Sequence, residues 1–447
     1  MKKLITTLTN IWKIEDLRNR IITTLLLLLI YRIGCHVVLP GVNPDALGAK
    51  SNDSNSILDL INMFAGGSFS RSAIFALGVM PYISASIVVQ LLGIAVPAFQ
   101  KMQKEGESGR KKMTQITRYL TLAITLVQAV AYVKTQVPAE AKTLPEPMFT
   151  ILSAIVLTAG TLFVMWLGEK ITDKGIGNGT SLIIMAGIIA QLPGGIIAEW
   201  ASRMSPSGGG PIPLLLEFVA LFFVVIFAIL VVQGIRKVPV QYAKKIVGNK
   251  QVGGVRQYIP LKVNAAGVMP IIFAQAIMFL PMALSQFFPN LQSDFLLALR
   301  DFTSVAYNVT FALLIIAFTF FYTAIMVNPQ QMSEDMKKNG GFIPGIKPGF
   351  DTNTFIDNVI SRITFPGAIF IALIAIMPAL AGKFGVNNQF AHFFGGTSLL
   401  ILVGVVLDTL QQIESHLLMR HYDGLMKTGR VKGRSTATVE GIDQSAI

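Results

Sequence analysis

The chain has 447 residues, of which 52% are hydrophobic and only 14% are charged, and its formal net charge is +13 at pH 7. Soluble domains carry about 25% charged residues, so this composition indicates an integral membrane protein. A single cysteine, Cys35, excludes an internal disulfide. The chain starts with a polar, basic stretch before a long apolar run, which is unlike a cleaved signal sequence, so we expect that run to stay in the membrane.

Ten apolar runs are long enough to cross a bilayer, which takes roughly 20 residues. They lie at about 21–38, 73–93, 116–133, 149–168, 180–198, 213–233, 265–283, 309–327, 364–382 and 397–418. We expect helices, because lipid offers the backbone no hydrogen-bond partner. Of the 37 Lys and Arg residues, 29 fall in the segments on the N-terminal side of the membrane. This bias predicts that both termini are cytoplasmic.

A stretch rich in Gly, Pro and Ser at 202–213 divides the ten spans into two sets of five. Because five is odd, the second set must enter the membrane in the opposite orientation. We therefore predict an all-α polytopic protein with two pseudo-symmetric inverted halves, 1–201 and 214–422, joined by an external hinge at 202–213. Residues 423–447 are polar and are expected to form a cytoplasmic tail.

Two long loops are predicted on the cytoplasmic side, at 234–264 and 329–363. The first contains seven Lys or Arg residues and no Asp or Glu. A loop with only positive charges would attract anionic lipid headgroups, or an acidic protein or a nucleic acid that docks from the cytoplasm. Two long loops on one face suggest a docking platform.

Catalytic machinery is not visible in the sequence. No phosphate-binding loop is present, and the four histidines have no metal-ligand spacing. We therefore expect no enzyme activity, metal or cofactor. Asp408 lies well inside the last span, and a carboxylate there could couple ion flow in a secondary transporter, line a hydrated funnel or pair with a neighbouring helix.

Polar residues interrupt two of the spans. Ser84, Ser86 and Gln90 share roughly one face of the second, which also contains Pro81, and Asn264 and Gln275 flank or enter the seventh. From spacing alone, ordinary contacts between helices explain these groups at least as well as a hydrated path.

Six segments give the sequence a family resemblance. They are NMFAGGSFSRSAIFALGVMPYISASIVVQLL at 62–92, KEGESGRKK at 104–112, MWLGEKITDKGIGNGTS at 165–181, PLKVNAAGVMP at 260–270, NPQQMSEDMKKNGGFIPGIKPG at 328–349 and FGGTSLLILVGVVLD at 394–408. In these segments and their order the chain resembles the SecY family, the central subunits of bacterial protein-translocation channels. The resemblance covers nearly the whole chain, apart from the external loops and the tail.

The resemblance implies a clamshell around an hourglass pore that opens sideways to lipid between spans 2 and 7. It implies a short plug helix at about 58–72 that blocks the external funnel, with plug residues Phe64, Gly66, Gly67, Ser68 and Arg71. It implies a lateral gate with Ser84, Ser86, Gln90, Asn264 and Gln275.

The pore ring implied by the resemblance consists of Val79, Ile83, Thr180, Ile184, Ile272 and Ile401. A collar of branched apolar side chains fits a passing chain of any sequence and gives ions no solvation. Thr180 departs from the apolar pattern, and we expect its hydroxyl to bond to the carbonyl of Ile176 and leave the methyl group facing the pore.

The docking residues implied by the resemblance are Arg236, Lys237, Lys244, Lys245, Lys250 and Lys347, which would meet the ribosome or the SecA motor ATPase. Lys347 stands where bacterial members carry arginine, and lysine keeps the charge without the bidentate fork. Further implied partners are the small subunits SecE and SecG, signal peptides and nascent chains, anionic lipids, and accessory insertase or SecDF-type proteins.

The function that follows is a passive conduit in the bacterial inner membrane for unfolded secretory polypeptides, which also releases transmembrane segments sideways into lipid. The alternative is a secondary transporter of a small solute that uses Asp408.

Overall fold

The computed structural model describes residues 12, 14–44, 62–205, 209–242, 245–247, 250–252, 256–287, 298–299 and 303–428. Each of the ten predicted spans coincides with one long helix. These helices are α1 (Glu15–Gly34), α2 (Met80–Ala95), α4 (Glu107–Gln136), α5 (Glu146–Lys174), α6 (Gly179–Met204), α7 (Pro211–Gln233), α8 (Met269–Phe287), α9 (Val305–Met326), α11 (Phe350–Lys383) and α13 (Gly396–Thr428). Shorter helices are α3 (Pro97–Lys104), α10 (Pro329–Lys338) and α12 (Asn388–Ala391).

Seven helices in the described part of the chain have the length and apolar composition to cross a membrane, or eight if the bent pair α2–α3 is one span. The first helix is less apolar, because it contains Glu15, Asp16, Arg18, Arg20 and Arg32. In α8 the apolar stretch is Met269–Met278. The protein is therefore an all-α, multi-pass membrane protein.

The packing of the helices repeats between the two sets of five. In the first set α1 packs on α5, α2 on α4, α4 on α5, and α5 on α6. In the second set α7 packs on α11, α8 on α9, α9 on α11, and α11 on α13. Each pair has its counterpart five spans later, which is the pattern of an internal structural repeat. The two sets meet mainly where α6 contacts α7, α12 and α13.

The start of the second span differs from the sequence prediction. The prediction began it at residue 73 with Pro81 in its interior, but the helix begins at Met80, and residues 73–79 form turns. Pro81 therefore lies in the first helical turn, where the missing N–H leaves no intrahelical bond unmade.

The two long loops that the sequence predicts to be cytoplasmic are more regular than predicted. The 234–264 loop forms β1 (Ile235–Tyr242), β2 (Lys245–Val247), β3 (Lys250–Val252) and β4 (Arg256–Lys262), and the 329–363 loop contains α10, β5 (Gly341–Phe342) and the start of α11. The sheet has the order β4-β1-β5, with both pairs antiparallel. Its buried side packs with α10 and α11 through Val238, Val240, Met336, Ile356 and Ile360. Part of the predicted tail, 423–428, belongs to α13, and the rest lies outside the described residues.

Candidate functional site

A cavity of about 510 Å³ lies between α2, α4, α6, α8, α13 and the segment 62–79, which we call the plug segment. Five of the six predicted ring residues line it, and each comes from a different element, namely the end of the plug segment, α2, α6, α8 and α13: Val79, Ile83, Ile184, Ile272 and Ile401. Phe64, Ala65 and Phe69 of the plug segment line the same cavity. The aromatic side chains of Phe64 and Phe69 therefore lie at the same cavity as the five predicted ring residues.

The sixth predicted ring residue, Thr180, lies in the first turn of α6 and is not among the residues that line this cavity. Its hydroxyl lies close to α5, because a Cβ on Gly168 would be 3.2 Å from Thr180 Oγ1. The side chain thus packs between helices within the first set of five.

The plug segment approaches α1 and α6 through its backbone. Gly66 and Gly67 have φ values of 65° and 84°, a region that favours glycine. Arg32 Nη1 donates to the carbonyl of Gly66 at 3.0 Å. On the other side, a Cβ added to Gly187 of α6 would lie 2.6 Å from the carbonyl oxygen of Phe64. A side chain at position 187 would clash with the backbone of the plug segment, so this close approach to α6 requires glycine.

Two hydroxyl groups, those of Ser68 and Tyr132, form hydrogen bonds with the backbone in the middle of the plug segment. Ser68 is fully buried, and its Oγ lies 2.6 Å from the carbonyl oxygen of Ala65 and 3.0 Å from that of Phe75. Tyr132 of α4 donates to the carbonyl of Phe69 at 2.5 Å. These carbonyls also accept backbone N–H groups within the segment, so the two hydroxyls add a second hydrogen bond to buried turns.

Arg71 lies at the exposed edge of the plug segment, where its Nη1 is 2.9 Å from Nδ1 of His36, just beyond the end of α1. Partial burial and the nearby charges of Arg71 and Arg32 lower the pKa of His36. The imidazole is thereby favoured in its neutral form, which accepts a hydrogen bond from Arg71. Residues 58–61 of the predicted plug lie outside the described residues.

The predicted gate residues divide between two helices that both line the cavity, α2 and α8. On α2, Ser84 lines the cavity and bonds back to the carbonyl of Met80, while Gln90 Nε2 donates to Ser86 at 3.3 Å. Gln275 of α8 also lines the cavity and is 3% exposed, and its Nε2 has no hydrogen-bond partner in the described part of the chain. Asn264, in the turn before α8, is equally buried.

The described docking residues lie on β1, on the β2–β3 pair and in the loop before α11. Arg236 and Lys237 are exposed at the start of β1, and Lys347 is exposed before α11. Lys245 and Lys250 lie on the paired strands β2 and β3. Lys244 lies outside the described residues.

Asp408, the residue of the transporter alternative, is exposed on α13. No cluster of His, Cys, Asp or Glu that could hold a metal ion occurs among the residues that the structure describes.

Several residues of this site were missed by sequence reasoning. Arg32, Tyr132 and Gly187 contact the plug segment from three different spans, and Ser398 of α13 donates to the sulfur of Met63 at 3.3 Å. The partners are between 34 and 335 residues apart in sequence, so no local pattern predicts them. Only Arg32 could have been singled out from the sequence, because a charged residue inside an apolar run is unusual.

Comparisons with known proteins agree with this arrangement. The SecY family model matches residues 73–410. The "Protein translocase subunit SecY" of Halalkalibacterium halodurans is 43% identical over 430 residues, which cover 94% of this chain and 99% of that protein. The protein of the same name from Thermotoga maritima is 40% identical and covers 95% of this chain and 98% of its own length.

Solved structures share the fold. A structure described as a protein conducting channel has a TM-score of 0.64 at 17% identity and covers 93% of this chain and 95% of its own chain. Canine Sec61 in a ribosome-channel complex has a TM-score of 0.60 at 16% identity, with the same coverage of both chains. By the family model and the extent of identity to these relatives, the chain belongs to the SecY family.

Proposed function

We propose that this chain is a protein-conducting channel that translocates unfolded secretory polypeptides across the cytoplasmic membrane and releases transmembrane segments sideways into lipid. The observation that carries the proposal is the convergence of Val79, Ile83, Ile184, Ile272 and Ile401 on one cavity beside the plug segment. These residues come from distant parts of the chain, and their shared feature is a branched apolar side chain.

The chemistry of this ring suits a path for polypeptide rather than for a solute. Branched apolar side chains offer ions no replacement for their hydration shell, and an apolar constriction can lose its water. The same surface contacts a passing chain of any sequence without specific hydrogen bonds. The packing of the plug segment against Arg32, Tyr132 and Gly187 supports the proposal that this conformation represents the idle, closed channel.

Sideways release needs two helices that can separate. The cavity lies between α2 and α8, each of which packs mainly on a helix of its own set, α4 or α9. Ser84 and Gln275 put polar groups into an otherwise apolar seam. The buried amide of Gln275 lowers the cost of exposing this seam, because water satisfies the amide once α2 and α8 part.

The cytoplasmic face is the proposed docking side, with both chain termini on it and the membrane being the bacterial inner membrane. The exposed Arg236, Lys237 and Lys347 would attract a ribosome or a motor ATPase such as SecA by salt-sensitive electrostatics. Related channels, canine Sec61 and the yeast Ssh1 complex, are solved with ribosomes. We further propose that SecE and SecG assemble with the chain. The channel itself is not a catalyst, and the energy for transport comes from its partners or the membrane potential.

The transporter alternative gains no support. The comparisons all concern translocation channels. Asp408 is exposed on α13, and it has no hydrogen-bond or ion-pair partner among the residues that the structure describes, so the described contacts do not favour a substrate or ion site around it.

Photocrosslinking of a stalled secretory chain tests the proposal. A photoreactive residue at Val79, Ile83 or Ile272 is expected to crosslink to the stalled chain. Leu216, which is 63% exposed on α7, provides the control position and is expected to give no crosslink. Equal crosslinking at all four positions, or none at the ring positions while substrate-coupled proton flux is lost in Asp408→Asn, would overturn the channel assignment.

A further inference from the structure

A second cavity, of about 30 Å³, lies within the second set of five helices, and we call it the polar pocket. Its walls come from α8, α9, α11, the residue after α12 and the start of α13. All but one of its polar lining residues are at most 5% exposed, so most of the wall is shielded from the surroundings of the protein. The polar lining residues are Gln275, Tyr307, Asn308, His392, Thr397 and Ser398.

The side-chain amide of Gln275 lacks a partner at this pocket. Gln275 forms a side-chain hydrogen bond with Tyr307 of α9, but its Nε2 has no hydrogen-bond partner in the described part of the chain. Buried polar groups nearly always have a partner, which is either another protein group or an ordered water molecule. Because Gln275 is 3% exposed, bulk solvent does not supply that partner. The amide therefore indicates a ligand inside the pocket.

The size and charge of the pocket restrict what this ligand can be. A water molecule needs a cavity of roughly 10–15 Å³ and two to four polar partners. The polar pocket, with about 30 Å³, has room for one or two water molecules and none for a larger organic ligand. No Asp or Glu occurs among the described residues that line it, so a cation would find no counter-charge there. Water is thus the ligand that fits.

Two hydroxyl groups at the start of α13 can complete the hydrogen bonds of such a water. Ser398 Oγ donates its hydrogen to the sulfur of Met63 at 3.3 Å, so its lone pairs remain available as acceptors. The hydroxyl oxygen of Thr397 is a second acceptor in the same wall. A water that accepts from Gln275 Nε2 and donates to these two oxygens makes three hydrogen bonds, the usual number for a buried water.

We propose that the polar pocket is a binding site for one water molecule, held by Gln275 of α8 and by Thr397 and Ser398 of α13. Because Ser398 also contacts Met63 of the plug segment, this water connects the helix proposed to form one side of the gate with a residue that holds the plug segment. The Gln275 amide has two N–H groups, so the second remains for solvent that enters when α2 and α8 part.

X-ray radiolysis of the full-length protein in lipid nanodiscs tests the site. Radiolysis makes hydroxyl radicals from water in place, and these oxidise the side chains beside a bound water even where bulk solvent does not reach. Phe311 is 3% exposed and lines the polar pocket, so its oxidation, measured by mass spectrometry, reports water there. Phe149 is the internal reference, because it is 0% exposed and lines neither cavity. In the wild type we expect oxidation of Phe311 and none of Phe149.

Two variants remove the proposed partners of the water. Gln275→Met keeps the length of the side chain without the amide, and Thr397→Val keeps the shape without the hydroxyl. Each removes one hydrogen bond, so we expect the occupancy of the pocket and the oxidation of Phe311 to fall about 2- to 12-fold. Gln128→Met is the matched control and should leave this oxidation unchanged, because Gln128 lines the larger cavity but not the polar pocket.

Oxidation of Phe311 no faster than that of Phe149 in the wild type would show a dry pocket and overturn the proposal. Unchanged oxidation in Thr397→Val would do the same, and this variant decides the question alone if Gln275→Met does not accumulate. An equal decrease in Gln128→Met would also overturn it, because the oxidation would then report water in the larger cavity. The site itself does not depend on the channel function. A wild type that shows the water but moves no secretory chain would refute only the function proposed above.

Discussion

Replacing Gly187 with alanine tests whether backbone contact with α6 holds the plug segment. The added Cβ would lie 2.6 Å from the carbonyl oxygen of Phe64 and 3.2 Å from the N–H nitrogen of Gly66. Unstrained carbon–oxygen contacts start near 3.3 Å, so the plug segment would have to retreat by about 0.7 Å. That movement also strains the bond from Arg32 to the Gly66 carbonyl.

The magnitude follows from the cost of overpacking, about 1–3 kcal/mol. Because about 1.4 kcal/mol is a factor of ten in an equilibrium, the population with a displaced plug should rise about 5- to 150-fold. We expect a corresponding rise in the ion conductance of the idle channel in proteoliposomes, in the absence of any translocating chain.

Gly194→Ala is the matched control, since it lies on the same helix and a Cβ there meets nothing within 4 Å. Both substitutions raise helix propensity by about 1 kcal/mol, so this contribution cancels in the comparison. Equal conductance in Gly187→Ala, Gly194→Ala and wild type would refute the reasoning, because it would mean that the close approach of the plug backbone to α6 does not hold the plug.

Three further predictions concern other contacts. Tyr132→Phe removes one of the two hydrogen bonds to the buried carbonyl of Phe69 and leaves the bond from the Ser72 N–H, so we expect a loss of about 0.5–1.5 kcal/mol in unfolding free energy, measured by thermal melting in detergent. The pKa of His36 is lowered, so the neutral imidazole stabilises the folded state above its ordinary pKa of about 6.5, and this stability is lost as the pH falls below it. The ion conductance of the idle channel should therefore rise as the pH is lowered from 8 to 5. A His36→Asn variant whose conductance depends on pH in the same way as that of the wild type would contradict this prediction. Arg236→Ala should weaken ribosome binding and reduce the slope of log affinity against log salt by about one, whereas Lys383→Ala, far from the sheet in sequence, should not.

Run length and hydrophobicity predicted the positions of the ten long helices, because the thickness of the bilayer sets the length of a spanning helix. They failed at the start of α2, where residues 73–79 are apolar yet form turns. Hydrophobicity reports only that a segment is buried, and this segment is buried by neighbouring protein instead of crossing lipid as a helix. Pro81 was the local signal for the helix start, since proline is favoured in a first turn.

The site was predictable only as far as the family resemblance reached. Five of the residues predicted to form the ring line one cavity, but Thr180 packs toward Gly168. The first turn of α6 sets its direction, and sequence spacing does not reveal that turn's orientation. Arg203 and Glu217 likewise gave no sequence signal, because each lies near a helix end, where a charge ordinarily meets water. Arg203 of α6 donates to Glu217 of α7 and to the carbonyl of Gly385, which is 182 residues away from it in the sequence.

The β4-β1-β5 sheet has a mechanical consequence. All three of its strands, β1, β4 and β5, come from the second set of helices. Its base is tied to that set as well, since Val263 N–H donates to the Gly234 carbonyl at 2.8 Å and Lys262 Nζ lies 3.4 Å from Gln411 Oε1 of α13. A large partner that binds the sheet would therefore restrain the second set of five helices. The first set, which contains α2, would remain free to move relative to it.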